Sequence, residues 1–120
     1  MTSDEFRAIV LNLGGVTESS HMNHPDFRVN GRIFATLGYP DQSWGMVKLA
    51  LQDQKHFVDL HSEAFVPAKG AWGLKGSTLV HLAQVKAGVV TEAVDLAWQN
   101  GAAPSKAKKA GKKAATKKSA

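Results

Sequence analysis

Seven lysines, Lys106, Lys108, Lys109, Lys112, Lys113, Lys117 and Lys118, fall within the last seventeen residues, which contain no acid. Their chemistry is phosphate neutralisation: a block of like charges repels itself and pairs readily with polyanions. That segment sums to +7. The preceding 103 residues carry five lysines and three arginines against ten acids, −2, and the two parts give the chain's +5. The basic pI therefore belongs to an appendage. If every tail lysine meets a phosphate, the slope of log K against log salt reaches at most about −6. Lysine without aromatics or arginine neutralises charge but reads no base edge. Such a composition buries nothing, so residues 104–120 are expected to be a disordered basic tail, either an arm for DNA (or RNA) or a solubilising extension.

Within residues 1–103, the candidates for contact with nucleic acid are Arg28, Arg32, Lys48, Lys69 and Lys75, with Trp72 available to stack on a base. The plainer account makes these ordinary solvated charges and packs Trp72 against a sheet edge. Arg28 can equally pair with Asp26 or Asp41. His21-Met-Asn-His24 has a spacing that metal ligands use, but the chain has no cysteine, and His56 and His61 do not share a helical face. Gly70 to Gly76 lacks the frame of a phosphate-binding loop and precedes a strand rather than a helix. Ser77 and His81 share a strand face but sit about 13 Å apart along it, too far for a catalytic pair. No catalytic residue, metal or cofactor is expected.

The elements that must hold these side chains follow from period and punctuation. Ser3 is a fair N-cap for a helix carrying Phe6, Ile9, Val10 and Leu13 inward and ended by Gly14-Gly15. Val16 to Asn23 reads as a short strand or a loop. Asp26–Val29 and Arg32–Leu37, joined by Asn30-Gly31, form a hairpin closed by a type I′ turn. A two-residue loop pairs Val29 with Arg32, Arg28 with Ile33 and Phe27 with Phe34. One face then shows Phe27, Val29, Phe34 and Thr36, and the other Ile33, Ala35 and Leu37 beside Arg28. Trp44–Leu49 is a third strand, Gln52–His61 a helix, Phe65–Pro67 extended, Ala68–Gly76 a glycine-punctuated loop, and Ser77–Leu82 another strand. A last helix carries Val90, Ala93, Val94, Ala97 and Trp98 and stops at Gly101. The core is expected to hold Phe27, Ile33, Phe34, Leu37, Val47, Leu49, Leu79, Val80, Val94 and Trp98. Strands joined by tight turns argue for an α+β class, an antiparallel sheet with helices on one face.

Several of these segments occur together in one bacterial family. The chain resembles the MmcQ/YjbR-like proteins through His24-Pro-Asp-Phe-Arg-Val29, Gly31-Arg-Ile-Phe-Ala-Thr-Leu-Gly38, Trp44-Gly-Met-Val-Lys-Leu49 and Phe65-Val-Pro67. The resemblance continues through Gly70-Ala-Trp-Gly73, Gly76-Ser-Thr-Leu-Val80 and Leu96-Ala-Trp98. It covers roughly residues 5–100 and excludes the tail. It implies a frataxin-like (CyaY-like) α+β domain over residues 1–103. It also implies DNA binding, by likeness to a double-wing architecture, and brings no catalytic residues. A dense acidic ridge for iron is missing, since the first helix offers only Asp4 and Glu5.

The expectation is thus a non-catalytic, mostly non-specific DNA-binding protein, its alternative a protein-interaction adaptor with a solubilising tail. A more distant option is a small-molecule or enzymatic pocket around Tyr39, Trp44 and Trp72. An acidic opening stretch without a long apolar run argues for a cytoplasmic protein, nucleoid-associated if it binds DNA, with no membrane contact.

Overall fold

The computed structural model describes residues 1–21 and 24–103. In chain order these are α1 (Ser3–Leu11), β1 (Val16–His21), β2 (His24–Val29), β3 (Arg32–Leu37), β4 (Trp44–Lys48), α2 (Leu51–Leu60), β5 (Phe65–Pro67), α3 (Gly70–Leu74), β6 (Ser77–His81), a 3₁₀ turn (Leu82–Gln84) and α4 (Ala87–Ala102). The strands form one antiparallel sheet in the order β1-β2-β3-β4-β6-β5. This is the α+β architecture that the strand runs and tight turns imply. The lysine tail lies outside the described residues.

Register decides which side chains meet the helices. Leu37, Gly45, Val80 and Phe65 align across β3, β4, β6 and β5, as do Phe27, Ala35, Val47 and Thr78 across β2, β3, β4 and β6. Those rows form the buried face. Phe6 of α1 lies against Gly45, Phe57 of α2 meets Phe65 with ring centroids 5.1 Å apart, and α4 crosses Val29 and Phe34. The opposite face carries Thr36, Met46, Leu79 and Val66, half-buried or exposed. Among the expected core residues, Ile33, Leu79 and Trp98 are only half-buried, and the others are buried.

The hairpin expectation holds at its turn and fails two residues away. Asn30 and Gly31 have φ of 56° and 78°, as a type I′ turn requires, and Val29 pairs with Arg32 and Arg28 with Ile33. Phe27, however, pairs with Ala35 rather than Phe34. A β-bulge makes Phe34 the extra residue, so Phe34, Ala35 and Leu37 all reach the core. Strict alternation assigned Ala35 and Leu37 to the other face.

Helix ends differ in similar small ways. Thr2, not Ser3, caps α1, closing a capping box with Glu5, and the helix ends at Asn12 before the glycines. Gly101 does not stop α4. It lies inside the helix, where an added Cβ would sit 3.0 Å from Val29 and 3.3 Å from Phe34, so its bare backbone permits close approach to the sheet. Ala68–Gly76 is not wholly loop, because Gly70–Leu74 winds into α3.

Antiparallel pairing also gives the sheet two distinct ends. The Asn30-Gly31 turn, Lys48, Pro67 and Ser77 share one end, here the hairpin end, with α3 connecting Pro67 to Ser77. His24, the Gly38–Ser43 loop, Phe65 and His81 share the far end. Replacing Gly31 by valine should lower stability by about 1 kcal/mol or more, because no neighbour crowds the site and only backbone strain opposes the side chain. Chemical denaturation checks this; a wild-type midpoint would contradict the turn geometry.

Candidate nucleic-acid interface

The structure separates the sequence-predicted cations into two groups. Arg28 and Arg32 have structural partners. Arg28 Nε donates to Asp26 Oδ1 at 2.9 Å, and Asp26 is wholly buried. That hydrogen bond first, and the carboxylate charge second, raise the Arg28 pKa further above its ordinary value. Of the two acids open to Arg28 in the sequence, Asp26 is the one used. Removing Arg28 would strand a buried carboxylate. Arg32 Nη1 donates to the carbonyls of Ala103 at 2.8 Å and Gly101 at 3.4 Å, so a cation caps the negative end of α4.

Lys48, Lys69 and Lys75 are exposed and form no salt bridge with the described residues. All three belong to the hairpin end. Lys48 pairs in register with Ser77, while Lys69 and Lys75 flank α3 as its N-cap and C-cap. Trp72 sits between them and is 70% exposed, so the expectation that it packs against the sheet edge fails. Leu74 and Leu51 are exposed beside this segment.

The local sequence explains why α3 holds still. Gln54, buried on α2, donates through Nε2 to the carbonyls of Gly73 at 2.9 Å and Ser77 at 3.2 Å. Gly73 has no room for a Cβ, which would collide with the Ala68 carbonyl, so the turn closes tightly on its own backbone. Thr78, also buried, returns its hydroxyl to the Gly76 carbonyl at 2.9 Å. The glycines alone gave no warning of Gln54, whose helical position reads as polar surface. A polar residue on the face of Phe57 was the available signal.

Other candidates disperse. Trp44 stacks on His81 at 4.5 Å at the far end, near Tyr39 and remote from Trp72, so no pocket unites those three aromatics. A groove of 640 Å³ between α1 and α4 is lined partly by Glu92 and Asp95, which repel a polyanion. The His21-Met-Asn-His24 spacing crosses Met22 and Asn23, outside the described residues. Among the described residues, no three histidines or carboxylates gather as a metal site requires, and no helix is long and apolar enough to cross a membrane. Replacing Gln54 by alanine should cost about 1–3 kcal/mol, since two buried hydrogen bonds are lost, although both carbonyls keep a backbone donor. Amide exchange should accelerate across residues 70–76 first; unchanged protection there would refute the fastening role.

Comparison with known proteins agrees with this architecture. No curated protein sequence matches the chain. A solved structure, the Deinococcus radiodurans protein DR2400 with a DUF419 domain, superposes with a TM-score of 0.69 at 17% identity, covering 81% of this chain and 75% of that one. At that identity the likeness speaks for the fold. The YjbR family model matches residues 11–100, and it is on this match, over the sheet and helices just described, that the chain belongs to the YjbR family.

Proposed function

We propose that this protein binds DNA without catalysing a reaction, its lysine tail neutralising phosphates and the hairpin end of its sheet meeting the same ligand. RNA offers the same phosphates and is the alternative polyanion. The observation that carries this reading is the convergence of the tail's root with the unpaired lysines. Arg32 holds Ala103, the last described residue, at the hairpin end, and β3 lies two strand spacings, about 10 Å, from β6. Lys48, Lys69 and Lys75 therefore lie to one side of Ala103 at the same end of the sheet. Seventeen residues reach at most about 60 Å, enough to follow a polyanion past the domain.

The domain's −2 does not oppose this, because four of its acids lie at the far end, although Lys86 lies there too and Asp53 opens α2 at the hairpin end. Asp41 and Glu63 lie at the far end, as do Asp4 and Glu5 on α1, whose Ser3 hydroxyl donates to the Gln42 carbonyl. A ligand approaching the hairpin end meets lysines first, and screening over about 8–10 Å hides the distant acids. The adaptor reading is the alternative, favoured by the exposed Leu51, Trp72 and Leu74 at that same end.

Truncation after Ala103, assayed by mobility shift at two salt concentrations, separates them. The anchor role predicts that deletion weakens DNA binding by well over about tenfold at low salt and flattens its salt dependence. Tail-less protein binding as tightly as the full chain would move recognition to the domain. Failure of both proteins to bind at about 50–100 mM salt would favour the adaptor. Replacing Lys48, Lys69 and Lys75 together by alanine should reduce affinity less than the deletion, and lower the salt slope by at most about 3. No change in slope would remove the sheet end from the interface.

A further inference from the structure

We propose that Trp72 is a stacking platform for an unpaired base, with Lys69 and Lys75 holding the phosphates on either side of it. This rests on the nucleic-acid reading above and narrows its ligand to single-stranded or locally unpaired segments.

An indole is among the largest apolar surfaces a chain can bury, and here it is left 70% in water. Trp72 makes no ring contact or side-chain hydrogen bond with the described residues. Mobility does not account for the exposure, because the backbone beneath is fastened from two directions. Buried Gln54 bonds the carbonyl of Gly73, the next residue, and Gly73 closes on Ala68. A rigid turn thus presents an aromatic ring to solvent, at the cost of burying an amide side chain. An indole held in solvent by a fastened turn is available to a flat ligand.

The rim identifies the ligand. Lys69 and Lys75 lie three residues either side of Trp72, the spacing of neighbours on a helix surface, and Lys48 reaches the same end from β4. Asp53, half-buried in the first turn of α2 at this end, forms no salt bridge with a described lysine. A flat ring between cations matches a base between phosphates, and stacking accepts every base because each has a π-face. In a duplex those faces are already covered by neighbouring bases.

Fluorescence anisotropy with a labelled oligothymidine of about 12 nucleotides, and a duplex carrying equal phosphates, tests the assignment in the full chain. Trp72→Ala should weaken oligothymidine binding roughly tenfold or more and duplex binding by no more than about twofold. Trp72→Phe should retain most of the affinity. Trp72→Leu, which keeps apolar bulk without an aromatic face, should behave like alanine and guards against a misfolded alanine variant. Equal losses on both ligands, no loss on either, or full retention by Trp72→Leu would overturn the platform and leave the patch to a protein partner. Deleting residues 104–120 should weaken both ligands alike. Should that deletion matter while Trp72 does not, stacking alone fails. Should Trp72 matter while the deletion does not, the tail anchor alone fails. Oligothymidine that the wild-type chain does not bind sinks the platform outright.

Discussion

The arrangement depends on how closely α4 approaches the sheet at Gly101. An added Cβ there would press on Val29 at 3.0 Å and Phe34 at 3.3 Å, so glycine lets the helix continue to Ala102 while resting closely on β2 and β3. Arg32, on the same hairpin, then reaches the carbonyls of Gly101 and Ala103 and satisfies groups the helix terminus leaves open. Close approach and capping together fix where the chain leaves the domain. The place where the described chain ends, at Ala103, is therefore a consequence of core packing.

Polarity along the strand axis follows from the same topology. Six antiparallel strands offer two rims, and this sequence puts Lys48, Lys69 and Lys75 on one, beside Asp53, and Asp41, Glu63 and the start of α1 on the other, beside Lys86. Net charge conceals this, because −2 summed over residues 1–103 says nothing of direction. Electrostatic steering responds to the local field, not to the summed charge. Under the proposed reading, Trp72 would add what lysine lacks, a contact with the base rather than its phosphate.

Much of the fold was legible because local chemistry and global packing agree. Asn30-Gly31 needs positive φ wherever it sits, and period-two patterning around it identifies a hairpin. The bulge at Phe34 was not legible, since alternation carries no sign of an extra residue. It took the tertiary demand that Phe34, Ala35 and Leu37 all face the helices. Gly101 read as a helix stop because glycine commonly ends helices, yet here its small size serves packing. At the candidate site, sequence supplied the residue types but not their roles. Arg28 and Arg32 look like Lys48 and Lys75 until their partners, Asp26 and the α4 terminus, are in place. Trp72 read as a packing residue by the ordinary preference for burial, which the fastening of α3 overrides.

The central claim, that the hairpin end is the ligand-binding rim, is tested most directly by amide chemical shifts of the full chain titrated with a short oligonucleotide. The account predicts shifts concentrated at Lys48, across residues 69–76 and near Ala103, with α1 and the Gly38–Ser43 loop unmoved. Shifts confined to the α1–α4 groove, to the open face around Met46 and Leu79, or to residues 104–120 alone would contradict it.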